Sequence, residues 1–116
     1  MAGDLLQLRA KVECCTFSDF RSTQTMYHLI HQIVEVVQQQ YVPGSDPTAF
    51  YDILWRFHTA EQHLNIFKPV ALDTYAGAYY KKAFSNARND TLYLLSLLQS
   101  AVRFGQVLPV ISSQDV

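Results

Sequence analysis

The chain has 116 residues, of which 49% are hydrophobic and only 16% charged, against about 25% charged in an ordinary soluble domain. That length predicts one domain spanning 1–116 with enough apolar content for a core, and so little charge leaves neutral polar and aromatic side chains on a large relative surface, as expected of a face made for another chain. A formal net charge of −1 excludes a global field that would draw the whole molecule to nucleic acid or an anionic membrane.

The opening Met1-Ala2-Gly3-Asp4-Leu5-Leu6 lacks the basic start of a signal peptide, and no apolar run approaches the roughly 20 residues of a membrane span, so no membrane partner is expected. Cys14 and Cys15 are neighbours in sequence, a spacing that rarely meets disulfide geometry. Both are expected as free thiols in a reducing, intracellular setting, cytoplasmic or nuclear.

Asp4 is placed to cap a first helix carrying Leu5, Leu8, Val12 and Cys15 on one face. The same stretch alternates strictly from Leu6 to Cys14 and so also fits a strand. Its straight-chain residues, with Val12 alone β-branched, favour helix. The second helix is predicted behind Thr16 or Ser18, with Phe20, Tyr27, Ile30, Val34, Val37 and Tyr41 at three-four spacing and a flanking stripe of Met26, Leu29, Ile33 and Val36. Pro43-Gly44-Ser45-Asp46 reads as a turn, with Asp46 as N-cap and Pro47 at the first helical position of a third helix.

The third helix is predicted to run to Leu64 or Phe67, with Phe50, Ile53, Leu54, Phe57, Leu64 and Phe67 facing the core and Lys68-Pro69 ending it. A second, off-axis line holds Tyr51, Trp55, His58 and Gln62. Asp73 or Thr74 opens a last helix that carries Ala76, Tyr80, Ala83, Ala87, Thr91, Leu94, Leu98 and Ala101 to Phe104-Gly105, where glycine suits a left-handed cap. Unbroken, this helix overhangs its shorter neighbour. The run Asn86-Ala87-Arg88-Asn89-Asp90 is the place where a kink or join would relieve the overhang. Residues 106–116 read as an extended tail that frays at Ser112 to Val116.

Four histidines raise the question of metal. His28 and His31 are three apart, Glu35 follows His31 by one turn, and His58 and Glu61 repeat the three-residue spacing on the next helix. The repeated Glu-x-x-His pattern of dimetal bundles is absent, so neither a metal site nor a cofactor is expected. No nucleophile elbow or phosphate loop appears either, so no catalytic residue is nominated.

Between Phe67 and Arg88, Lys68, Lys81, Lys82 and Arg88 stand against Asp73 alone, a balance of +3, interleaved with Tyr75, Tyr79, Tyr80 and Phe84. Cations with stacking aromatics suit single-stranded nucleic acid, with Lys68, Tyr79, Lys81, Lys82 and Arg88 as the contacts. From Glu35 to Glu61 the balance is −3, and two opposed patches equally steer one copy onto another. Trp55, with Tyr51 and His58, is the nominated protein-recognition group, because tryptophan and tyrosine carry large contact area at low entropic cost. The expected protein is therefore an all-α antiparallel bundle of about four helices, with a long C-terminal helix and an extended tail. Its expected work is non-enzymatic: self-association, as a homo-oligomer, or docking on a protein partner. Nucleic-acid binding is the alternative, and a metal-dependent helical enzyme comes third.

Overall fold

The computed structural model describes residues 3–65 and 75–110, with side-chain surroundings given for 4–65 and 77–110. Four helices, α1 (Gly3–Cys14), α2 (Phe20–Gln40), α3 (Pro47–His63) and α4 (Tyr75–Arg103), are joined by a small sheet of β1 (Tyr41–Pro43) and β2 (Val107–Pro109). Among the described residues no helix is long and apolar enough to cross a membrane. The expected Phe67, Lys68-Pro69, Asp73-Thr74 and residues 111–116 lie outside the described residues.

The ambiguous N-terminal stretch is helix, because only that periodicity buries Leu5, Leu8 and Val12 together against the other helices. It begins at Gly3, so Asp4 lies in the first turn, where its carboxylate accepts from the Gln40 side chain (3.2 Å). The cap of α2 is Asp19 rather than Thr16 or Ser18. Its carboxylate takes the Arg21 amide at 2.8 Å, and Ser22 reaches back to the Asp19 amide, a reciprocal box that serves two orphan donors. The centre of the α2 face falls on Met26, Ile30, Ile33 and Val37, between the two predicted stripes, and leaves Tyr27 and Val36 half-buried at its edges.

Asp46 caps α3, accepting from the Thr48 amide at 3.1 Å with Pro47 in the first turn, as its sequence requires. The helix stops at His63, one residue short of Leu64, the nearer of its two predicted ends. Helix α4 continues through Asn86–Asp90 without a break. At about 1.5 Å per residue its 29 residues span about 44 Å, against about 26 Å for the 17 of α3.

One core joins all four helices: Leu5 and Val12, Met26 and Ile33, Phe50 and Phe57, Leu95 and Leu98, closed at one end by Tyr41 and Val107. The sheet makes that closure. β1 and β2 pair antiparallel, with Val42 opposite Leu108, and the Gly44 and Ser45 amides donate to the Gln106 and Gly105 carbonyls at 2.8 and 2.9 Å. A Cβ on Gly44 would sit 2.1 Å from the Gly105 carbonyl oxygen, so only glycine allows the two backbones to meet. Gly105 itself has φ +75°. The Gln106 and Gly105 amides donate to the Ala101 and Val102 carbonyls at 2.8 and 3.1 Å, which finishes α4 as a Schellman motif.

Candidate functional site

Trp55 stands on the outside of α3 with 70% of its surface exposed. It forms a ridge between two depressions. One, a groove of about 480 Å³ between α3 and α4, is lined by Asp52, Trp55, Arg56, Thr59 and His63 on one wall and by Asp90, Tyr93 and Leu94 on the other. The second, of about 400 Å³, runs along α3 past His58, Gln62 and His63. A third depression continues from His63 to Tyr79, Lys82 and Asn86. The three depressions adjoin at His63 and are bordered by exposed aromatics, Trp55 on α3 and Tyr79 (54%) and Tyr93 (60%) on α4.

The nominated α3 residues divide. Tyr51 is exposed and packs edge-on against Phe50, ring centroids 5.4 Å apart, away from the groove. Trp55 lines both depressions. His58 is half-buried and turns toward Glu61, its Nδ1 3.4 Å from Oε2. Asp52 and Arg56 hold each other at 3.2 Å and leave their stretch of groove neutral.

The basic-aromatic candidates divide as well. Lys81 and Lys82 are exposed, and neither makes an ion pair with a described carboxylate. Tyr79 is exposed beside Lys82, whereas Tyr80 is buried in the core. Arg88 is engaged within the fold, where its Nη2 donates to the Glu13 carbonyl at 2.7 Å, supplying a partner to an orphan acceptor at the end of α1 and pinning that helix to α4. Phe17 against Phe84, centroids 5.6 Å apart, reinforces the same junction. Lys68 lies outside the described residues.

The histidine-carboxylate pairs do converge, on the opposite flank of α3. Glu61 is only 2% exposed, and its Oε1 accepts from His31 Nδ1 at 2.6 Å across the α2/α3 junction. His31 Nε2 lies 3.1 Å from Glu35 Oε1. Serving two carboxylates at once takes a proton on each ring nitrogen, so the arrangement selects the imidazolium. The His31 pKa is accordingly raised, chiefly by the hydrogen bond to Glu61, against a smaller opposing effect of burial and with further help from the charges of Glu61 and Glu35. Glu61 Oε2 is buried without a hydrogen bond, with the His58 ring its nearest charge partner. A metal would have to displace protons already committed to carboxylates. Among the described residues no group of three or more His, Cys, Asp and Glu is placed to hold one.

The sequence pattern does hold a signal for the buried Glu61 charge, although histidine spacing alone does not find it. Phe50, Leu54, Phe57, Glu61 and Leu64 are spaced four, three, four and three, which places the carboxylate in the apolar line. Tyr93 is not among the nominated residues, because its partner across the groove is 38 positions away in sequence. Cys14 and Cys15 are free, the first exposed and the second partly buried.

Comparison with known proteins finds no family model that matches the chain, and no curated protein or solved structure similar to it.

Proposed function

We propose that this chain is a non-enzymatic interaction module that binds protein, a second copy or another chain, through the outer face of α3 and α4. The observation that carries the proposal is the exposed Trp55 beside a groove whose far wall holds exposed Tyr93. Large aromatics side by side in water mark surfaces that become buried, and such groups dominate binding energy when they are. The helices act as one antiparallel bundle that presents this face on a rigid frame, and the free cysteine pair suits an intracellular, reducing setting. No catalytic step is assigned to the His31–Glu61 network, since both ring nitrogens of His31 are engaged with carboxylates.

Replacing Trp55 by alanine tests the proposal. Association is expected to weaken by about 2 kcal/mol or more, while the fold changes by less than about 0.5 kcal/mol because the indole packs against little. Loss of fold stability without loss of association would remove Trp55 from the binding face.

Exposed Tyr79 next to Lys82, with Lys81 one residue earlier, favours a second use of the same helix: binding single-stranded nucleic acid. Affinity would then fall as salt rises, and Lys81→Ala with Lys82→Ala would flatten the salt slope by about one unit per lost phosphate contact. Retention of an oligonucleotide with an unchanged slope in that variant would assign both lysines to solvent.

A further inference from the structure

The exposed edge of α4 carries a pattern that is its own complement. Tyr79, Lys82, Asn86, Asp90 and Tyr93 are spaced three, four, four and three, so they fall on one stripe of an unbroken helix, within about 40° of its centre line at 100° per residue. All five are exposed. About Asn86 the stripe is symmetric: tyrosine lies seven residues to either side, and four residues to either side lie a cation and an anion. Lys82 and Asp90 are eight residues, about 12 Å, apart along the axis and cannot meet within one chain. Neither makes an ion pair with another described side chain.

We infer that the occupant of this face is a second copy of the chain, bound through antiparallel α4–α4 pairing with a two-fold axis at Asn86. The inference rests on the docking reading of the α3/α4 face and names its partner. An antiparallel two-fold carries each residue to the mirrored position along its neighbour. Lys82 then faces Asp90 of the second copy, Asp90 faces its Lys82, and Tyr79 faces its Tyr93. A partner of unrelated sequence imposes no such symmetry on the stripe, whereas an isologous contact requires the surface to complement itself.

The three-four spacing is the one at which helices pack close to antiparallel, at about 20°. At the axis the two Asn86 amides lie opposite each other, where each has the donor and acceptor the other needs, a device that sets register in paired helices. Trp55 borders the Asp90–Tyr93 end of the groove, so the incoming Lys82 of the second copy arrives against its ring as well as against Asp90, adding a cation–π contact.

Sedimentation across micromolar concentrations, with circular dichroism as the folding control, tests the pairing. Wild type is expected to dimerise. Lys82→Glu and Asp90→Lys each set like charges opposite at two symmetric places and should raise the dimer dissociation constant by about tenfold or more. Combining them restores both pairs with signs exchanged, and should return the constant to within about threefold of wild type. In a Cys14→Ser, Cys15→Ser background, Asn86→Cys should oxidise to a cross-linked dimer and Asn89→Cys, away from the axis, should not.

A wild-type chain that stays monomeric, or a double variant no better than either single one, overturns the pairing. A dimer that weakens on Trp55→Ala yet ignores the charge exchange also overturns it while leaving protein docking by the α3/α4 face in place. A dimer that follows the charge exchange but ignores Trp55→Ala supports the α4 pairing and removes the indole from the interface.

Discussion

The two flanks of α3 treat polar and aromatic side chains in opposite ways. Against α2, Glu61 is buried and its charge is met at Oε1 by His31, with Glu35 and His58 alongside, so the charge of the junction is answered within the fold even though Oε2 accepts no hydrogen bond. Toward α4, Trp55, Tyr93, Lys82 and Asp90 stand in or beside an open groove with no such mutual pairing. A closed junction holds helices at fixed separation. An open one leaves free energy to be gained by a partner. The difference is a guide to assigning work on a small helical protein: satisfied polar groups belong to the fold, and unsatisfied exposed groups belong to encounter.

The comparison breaks most visibly on two aromatics of the same helix. Phe57 is fully buried, so Phe57→Ala should cost about 3–5 kcal/mol of folding free energy through the cavity left behind. Denaturant unfolding of that variant beside Trp55→Ala checks the contrast, and equal losses would abolish the distinction between the flanks.

The α2/α3 junction comes next in size. His31→Ala removes the cation from a hydrogen bond to a buried carboxylate and should cost about 1.5–3 kcal/mol. His31 is itself half exposed, which places the effect toward the lower end. The sheet gives a similar magnitude from a different cause: Gly44→Ala drives a methyl into the Gly105 carbonyl, expected to cost about 1–3 kcal/mol in thermal or chemical unfolding.

A smaller effect is set by pH. The folded chain holds the His31 proton more tightly than the unfolded one, so the stabilisation is complete below pH about 6.5 and declines as pH rises through the raised value. The groups facing that ring are Glu61 from α3, whose second oxygen His58 approaches, and Glu35 and the stacked Tyr27 from α2. Unfolding midpoints should therefore be highest below pH about 6.5 and fall as pH rises through the raised His31 value. His31→Asn should remove the decline, and an unchanged slope in that variant would place its origin elsewhere. Least of all is expected from chelation. Because both nitrogens of His31 already serve carboxylates, a chelator should leave the melting temperature unchanged. One tightly held metal per chain would reopen the junction as a site.

Much of the frame is legible residue by residue. The start of α3 at Asp46-Pro47, the glycine stop at Gly105 and the apolar lines of α2 and α4 follow from contacts within a few positions along the chain: a cap accepting an amide, a fixed φ, a repeat of 3.6. The face proposed for docking is less legible. Trp55 and Phe57 are two residues apart on an aromatic-rich helix, yet one is bare and the other enclosed. Tyr79 and Tyr80 separate in the same way. Helical phase states that they point differently, and only the neighbouring helices decide which direction is inside.

What the sequence by itself determined, then, is a mostly helical chain, the start of α3 at Asp46-Pro47, the glycine stop of α4 at Gly105, and a shortage of charge. The tertiary structure alone decided that Glu61 is met by His31, that Arg88 is taken up by the end of α1, and that Trp55 shares a groove with Tyr93. The physical reason is range. Capping, φ and periodicity act over one or two turns. The answering of a buried charge, diversion of a cation and the pairing of aromatics across a groove depend on residues 30, 75 and 38 positions apart, which only packing brings together.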